Sequence, residues 1–260
     1  MARRCGVTAR PALRQRATNA SIPRSRGLTG ESLSSENDLS IDRPRAYAQR
    51  MITRGDTDVL AVIDVQNCFV PGGTLPVPEG DTIIPIINRL APAFRHVIIT
   101  QDWHTKGHVS FASSHPGKKP FETTSLPYGT QVLWPDHAIQ GTPDAELHRD
   151  LRIPHAELII RKGYRPHVDS YSAFLEADRQ TKTGLGGYLT ERGLTRVFLV
   201  GLATDFCVAW SALDARKAGF DALVVEDATR GIGAGGSLGK AWADMSGAGV
   251  KRIQSADIRV

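Results

Sequence analysis

From residue 58 onward the chain alternates short apolar runs with longer amphipathic stretches. Segments 59–65, 96–100, 156–162, 196–202 and 221–227 are rich in Val, Ile and Leu at successive positions. Apolar residues on both faces predict strands covered on both sides, as in a parallel sheet. Segments 81–94, 184–192, 205–218 and 237–247 carry the longer mixed pattern of helices. Strands alternating with helices imply βαβ units. The expected fold is α/β, a three-layer α/β/α arrangement with a central, mostly parallel sheet. No internal repeat is present, and the pattern leaves the strand order open.

Residues 1–50 read differently. They lack hydrophobic periodicity and are rich in Arg, Ser, Pro and Asn. Such a composition buries too little apolar surface to offset ordering entropy, so a basic, disordered extension is expected ahead of one folded domain over 51–260. The first 30 residues hold no Asp or Glu, which also fits an organelle transit peptide. Met51 is a further candidate for the translation start.

Charge refines this division. The net charge is +5, but residues 1–50 carry about +6 and the remainder about −1. The body therefore offers no phosphate-binding stripe, and nucleic acid is not an expected partner. No apolar run approaches the roughly 18 residues of a membrane-spanning helix, so a soluble chain without membrane contact is expected. The three cysteines, Cys5, Cys68 and Cys207, are too scattered for a disulfide framework or a zinc finger. A reducing compartment fits, cytoplasmic unless residues 1–30 direct the chain to an organelle.

Parallel α/β sheets place their sites beyond the C-terminal strand ends. Asp64 follows the first strand, Asp102-Trp103-His104 the second, Lys162 ends the third, and Ala203-Thr204-Asp205-Phe206-Cys207 follows the fourth. Cys207 falls in the first turn of an expected helix, with Thr204 or Asp205 as N-cap. Helix N-termini lower a thiol pKa and offer free N–H groups to an oxyanion. Asp64 at the end of an apolar strand suits a desolvated general base, and Lys162 could hold both groups in register. Each residue alone also has a plain structural role: a packed thiol, a turn cap, a solvated strand-end amine. Asp102 and His104 at i and i+2 point the same way in extended backbone. His137 could join them, with His108 as a fourth donor. One Asp with two or three His suits one divalent ion such as Zn, Fe or Mn.

Several segments together resemble a known family. Asp64-Val65-Gln66-Asn67-Cys68-Phe69-Val70-Pro71-Gly72-Gly73 and Gly201-Leu202-Ala203-Thr204-Asp205-Phe206-Cys207-Val208 resemble the signatures of the isochorismatase-like cysteine hydrolases. Gln101-Asp102-Trp103-His104, the stretch Trp134 to Thr142, Arg161-Lys162-Gly163 and the stretch Asp169 to Phe174 resemble their metal-dependent branch, the nicotinamidases. The matches run in family order over about 58–230. The resemblance implies Cys207 as nucleophile, Asp64 as base and Lys162 as third member of a triad. It implies Asp102, His104 and His137 as metal ligands, joined in some arrangements by His108. It further implies a cis Leu202–Ala203 peptide, an oxyanion hole from the Ala203 and Cys207 N–H groups, and a pyridine pocket lined by Phe69, Trp134 and Tyr171. The expected reaction is hydrolysis of nicotinamide, or of pyrazinamide-type carboxamides, through a cysteine thioester in NAD salvage. A metal-free amidohydrolase and a non-catalytic scaffold on the same fold are the competing expectations. Cys68 departs from the family, which usually has Asp there, and would be sensitive to oxidation if it lay near the pocket. A homo-oligomer is compatible with all of this, but nothing in the sequence sets the oligomeric state.

Overall fold

The computed structural model describes residues 51–259, and the expectations for 1–50 lie outside the described residues. Six strands form one sheet: β1 (Asp58–Ile63), β2 (His96–Asp102), β5 (Leu158–Lys162), β6 (Arg196–Leu202), β7 (Asp221–Arg230) and β8 (Lys251–Ile253). Their spatial order is β5-β2-β1-β6-β7-β8, and every pairing is parallel. The sheet is thus wholly parallel. A separate antiparallel hairpin, β3 (Thr123–Leu126) and β4 (Gly129–Val132), lies outside it.

Side chains of β1 alternate between two cores. Leu60 and Val62 face one, which also holds Ile84, Ile87 and Leu90 of helix α1 (Ile84–Leu90). Val59, Ala61 and Ile63 face the other, which holds apolar residues of α2 (Leu185–Glu191), α3 (Ala209–Lys217) and α4 (Ser237–Gly247). One helix covers one face and three cover the other, which gives the three layers. No helix among the described residues is long and apolar enough to cross a membrane.

The chain winds outward from β1 through β2 to β5, then returns to β6 on the other side of β1. The connections therefore diverge at the β1–β6 boundary, leaving a crevice at the C-terminal strand ends. Close strand packing there requires a glycine. Gly201, paired with Ile63, has φ +113°, and a Cβ on it would stand 2.0 Å from the Ile63 carbonyl oxygen.

The helix expected over 81–94 is broken into a 3-10 turn at Gly80–Ile83, α1, and a second 3-10 turn at Ala91–Ala93. Pro92 stands in the first turn of that last segment and cannot extend the α-helical ladder. The helix expected at 205–218 begins as a π-helical turn, Thr204–Val208, before α3.

Candidate active site

Four strand ends converge on one buried ammonium. Lys162, the last residue of β5, pairs in register with Asp102 of β2 and is wholly buried. Its Nζ lies 2.8 Å from Asp64 Oδ2 and donates to Asp102 Oδ1 at 2.9 Å, to the Ser170 carbonyl at 3.0 Å and to Cys207 Sγ at 3.5 Å. Burial alone would drive the amine towards its neutral form, but Asp102, Asp64 and Cys207 override it and hold its pKa well above the ordinary value. Lys162 is therefore a fixed cation shared by two carboxylates and a sulfur.

Asp64 sits in left-handed backbone, φ 47°, immediately after β1. Thr100 fixes it: the hydroxyl donates to Asp64 Oδ1 at 2.6 Å and accepts the Asp64 N–H at 3.1 Å. Oδ2 faces Lys162 but accepts no aligned hydrogen bond. Burial, with Asp102 adding, raises the Asp64 pKa against the opposing pull of Lys162. A desolvated carboxylate with an open oxygen is suited to receive a proton.

Cys207 lies in the π turn after β6, 7% exposed. A helix N-terminus would lower the thiol pKa, and the structure differs. Burial pushes the Cys207 thiol well up, Asp64 and Asp102 push it further, and Lys162 opposes them. The resting group is a thiol, whose proton Asp64 favours by charge and by side-chain hydrogen bonding. Neither Thr204 nor Asp205 caps the turn: Ala203 occupies the N-cap position and no side chain caps it. The Leu202–Ala203 peptide is cis.

Beside this cluster, Asp102, His104 and His137 form a buried set whose donor atoms lie within 4.8 Å of one another. His104 Nδ1–H donates to the Gly163 carbonyl at 2.9 Å, and His137 Nδ1–H donates to the Pro135 carbonyl at 2.8 Å. Carbonyls only accept, so in the neutral rings the Nε2 atoms carry the lone pairs. They lie 3.2 Å and 3.6 Å from Asp102 Oδ2, while Asp102 Oδ1 is held by Lys162. Second-sphere carbonyls that fix the ring tautomer, and a carboxylate with one oxygen held and one free, suit a divalent cation. Gln66 fixes the Asp102 backbone, donating to its carbonyl at 2.8 Å and accepting its N–H at 2.7 Å.

His108 is not brought into that set. Its Nε2–H donates to the Arg165 carbonyl at 2.8 Å, and its Nδ1 accepts the Ser110 hydroxyl at 2.7 Å. With both nitrogens engaged, it packs against His104 at a ring distance of 4.4 Å. Burial and the neighbouring His104 bring its pKa down to about 4.

A small cavity opens onto both clusters. Phe69, Trp134 and Tyr171 line it, as do Cys207, Ala203, Asp102, His104 and His137. Trp134 Nε1–H donates to the Tyr171 hydroxyl at 3.0 Å, and Phe206 meets the Trp134 ring edge-on at 4.9 Å. Asp169, Phe206, Leu75 and Ile232 also line the cavity and were not singled out in the sequence. Cys68 does not line it. That residue is wholly buried in the core facing α1, where burial and Asp144 push its thiol pKa well up, which makes it a poor target for oxidation.

Residues 58–257 match the isochorismatase domain family. The chain belongs to the isochorismatase family. It is 59% identical over 201 residues to a nicotinamidase of Acinetobacter baylyi, covering 77% of this chain and 94% of that one. Among solved structures it resembles a nicotinamidase/pyrazinamidase of Acinetobacter baumannii, at 62% identity and a TM-score of 0.78, over 78% of this chain and 99% of that one. A Pyrococcus horikoshii pyrazinamidase in complex with zinc superposes with a TM-score of 0.62 at 34% identity, over 76% of this chain and 99% of that one. The isochorismatase match spans every strand end that contributes to the cavity.

Proposed function

We propose that this chain is a nicotinamidase, hydrolysing nicotinamide to nicotinate and ammonia through a thioester on Cys207. The observation that carries this reading is the shared ammonium of Lys162, within 3.5 Å of Asp64, Asp102 and Cys207, the last two of which line the cavity. It joins a nucleophile and its base to a metal-ligand set, which neither a scaffold nor a metal-free hydrolase requires. The similarity to proteins named nicotinamidase supports the same substrate.

In this mechanism Asp64 accepts the Cys207 proton as Sγ attacks the carboxamide carbon. The carbonyl electron pair moves to oxygen, and the N–H groups of Ala203 and Cys207 stabilise that oxyanion. The oxyanion collapses, the C–N bond breaks, and Asp64 returns its proton to the departing ammonia. Asp64 then takes a proton from the water that attacks the thioester, and gives it to the released Cys207 sulfur. Lys162 stays charged throughout and offsets negative charge as it moves among Asp64, sulfur and Asp102.

Asp102, His104 and His137 would hold one Zn, Fe or Mn ion, which when bound orients and polarises the heteroaromatic ring. Phe69, Trp134 and Tyr171 provide apolar and edge-on contacts for that ring. Pyrazinamide-type carboxamides fit the same pocket, as the name nicotinamidase/pyrazinamidase of a Mycobacterium tuberculosis relative, 34% identical, suggests. A cytoplasmic setting in NAD salvage suits the free thiols of Cys68 and Cys207. The test is ammonia release from nicotinamide by purified protein, before chelation, after it, and after metal return. Release that falls on chelation and recovers is the expected result. No release under any metal condition would remove nicotinamide as the substrate.

A further inference from the structure

Asp205 stands two residues before the nucleophile, where a carboxylate ordinarily caps the helix. Its side chain instead reaches a segment 27 residues away. Oδ1 accepts the Ile232 N–H at 3.0 Å, and Oδ2 accepts the Gly233 N–H at 2.8 Å and the Ser237 hydroxyl. Asp205 is 6% exposed, so these donors satisfy a carboxylate that has left water. Ile232 packs against the hydrophobic core, while the glycines around it add no side-chain contacts. Gly233, Gly235 and Gly236 have φ of 72°, 58° and 81°, and no heavy atom lies within 4 Å of where their Cβ atoms would be. Gly231 passes against the carboxylate itself: a Cβ there would stand 3.2 Å from Asp205 Oδ1 and 2.9 Å from Leu238 Cδ1. The one apolar side chain of 231–237, Ile232 apart from Ala234, lines the same cavity as Cys207 and Phe206.

We propose that Asp205 is a positioning residue for the substrate pocket, holding segment 231–237 so that Ile232 forms a wall of the cavity that contains Cys207. The nucleophile turn thereby contributes to the pocket twice: Phe206 and Cys207 directly, and Ile232 through Asp205. Charge-assisted hydrogen bonds to one carboxylate set this glycine-rich loop in place alongside the packing of Ile232. Ring specificity then depends on a residue that touches no substrate. The inference rests on the nicotinamidase reading for its substrate, and on geometry alone for the wall.

The test compares Asp205→Asn, Ile232→Ala and the double variant, each loaded with metal. Asp205→Asn should raise KM for nicotinamide about tenfold, the scale of a lost hydrogen bond to a charged group, with kcat within about threefold. Ile232→Ala should do the same. The double variant should be no worse than the stronger single one, because both remove the same wall. Modification of Cys207 by N-ethylmaleimide, followed by peptide mass, should speed up in parallel and show the same non-additivity. That readout needs no turnover, so it judges the wall even if wild-type protein releases no ammonia, an outcome that would refute only the substrate. If Asp205→Asn folds poorly, Ser237→Ala removes one of the three bonds and should still raise KM by about threefold. A fall in kcat at constant KM, or effects that multiply in the double variant, would overturn the proposal.

Discussion

The carbonyl of Gly163 accepts the Nδ1 proton of His104 at 2.9 Å, and the absence of a side chain on Gly163 allows the ring to come that close. A Cβ there would lie 2.6 Å from His104 Cε1 and 3.1 Å from Asp102 Oδ1, on backbone with φ +68°. Gly163→Ala must therefore displace a ligand, its second-sphere partner, or both. Metal affinity should fall about 10–100-fold, the usual cost of disturbing an outer-sphere contact. Competition against a chromophoric chelator measures it. Affinity equal to wild type would separate Gly163 from the metal set.

Burial raises the pKa of both Asp64 and Cys207, and Lys162 pulls both down. Asp64→Asn removes a charge that raises the thiol pKa, and so increases the thiolate fraction at any pH below that pKa. It also removes the proton acceptor. The variant should lose ~10²-fold or more in turnover, the scale of a lost general base, yet its Cys207 should alkylate faster than wild type at pH 8. Alkylation rates across pH, compared with ammonia release, give both readouts. Alkylation and turnover that fall together would assign Asp64 a thiol-activating role in the resting enzyme instead.

The chemistry-bearing residues were legible because a parallel sheet delivers them at strand ends. Asp64, Asp102, Lys162 and Cys207 each close or follow a recognisable apolar run, and the structure gathers them within one cluster. Strand identity was legible for the same reason, since β1 and β6 are apolar on both faces. The β3–β4 hairpin was not, because its strands are mostly exposed and short, and β8 has only three residues. Strand order could not be read because it depends on register between distant segments. The parts played by Gln66, Asp169 and Asp205 could not be read for a related reason. Each acts through a hydrogen bond to a residue far along the chain: Gln66 across 36 residues to Asp102, Asp169 across 38 to Gln131, and Asp205 across 27 to Ile232. One signal was available: Thr100, a polar residue in an otherwise apolar run, marks the partner of Asp64.

Gly201 predicts a stability effect distinct from any effect on chemistry. A Cβ at this position would meet backbone atoms of Ile63 at 2.0, 2.7 and 2.8 Å, and backbone cannot swing aside as a flexible side chain can. The positive φ adds to the strain. Gly201→Ala should destabilise the fold by more than about 3 kcal/mol, in the range reserved for core overpacking and backbone strain. Denaturant melts, or accumulation of insoluble protein on expression, would report it. A change below about 1 kcal/mol would show that β1 and β6 can separate at the crevice without cost.

His104 and His108 are neighbouring rings with opposite expectations. His104 turns Nε2 towards Asp102 Oδ2 at 3.2 Å, whereas both nitrogens of His108 are engaged by Ser110 and Arg165. His104→Ala should lose bound metal and raise KM for nicotinamide, because the set is left with Asp102 and His137. His108→Ala should retain metal while leaving the Ser110 hydroxyl without its acceptor and the Arg165 carbonyl with only the Val168 N–H. Its cost should appear in stability, about 1–3 kcal/mol for unsatisfied buried polar groups. Metal content by elemental analysis, set beside a thermal melt of each variant, separates the two roles. Loss of metal from His108→Ala at unchanged stability would move His108 into the ligand set and require its ring to turn away from Arg165 when the ion binds.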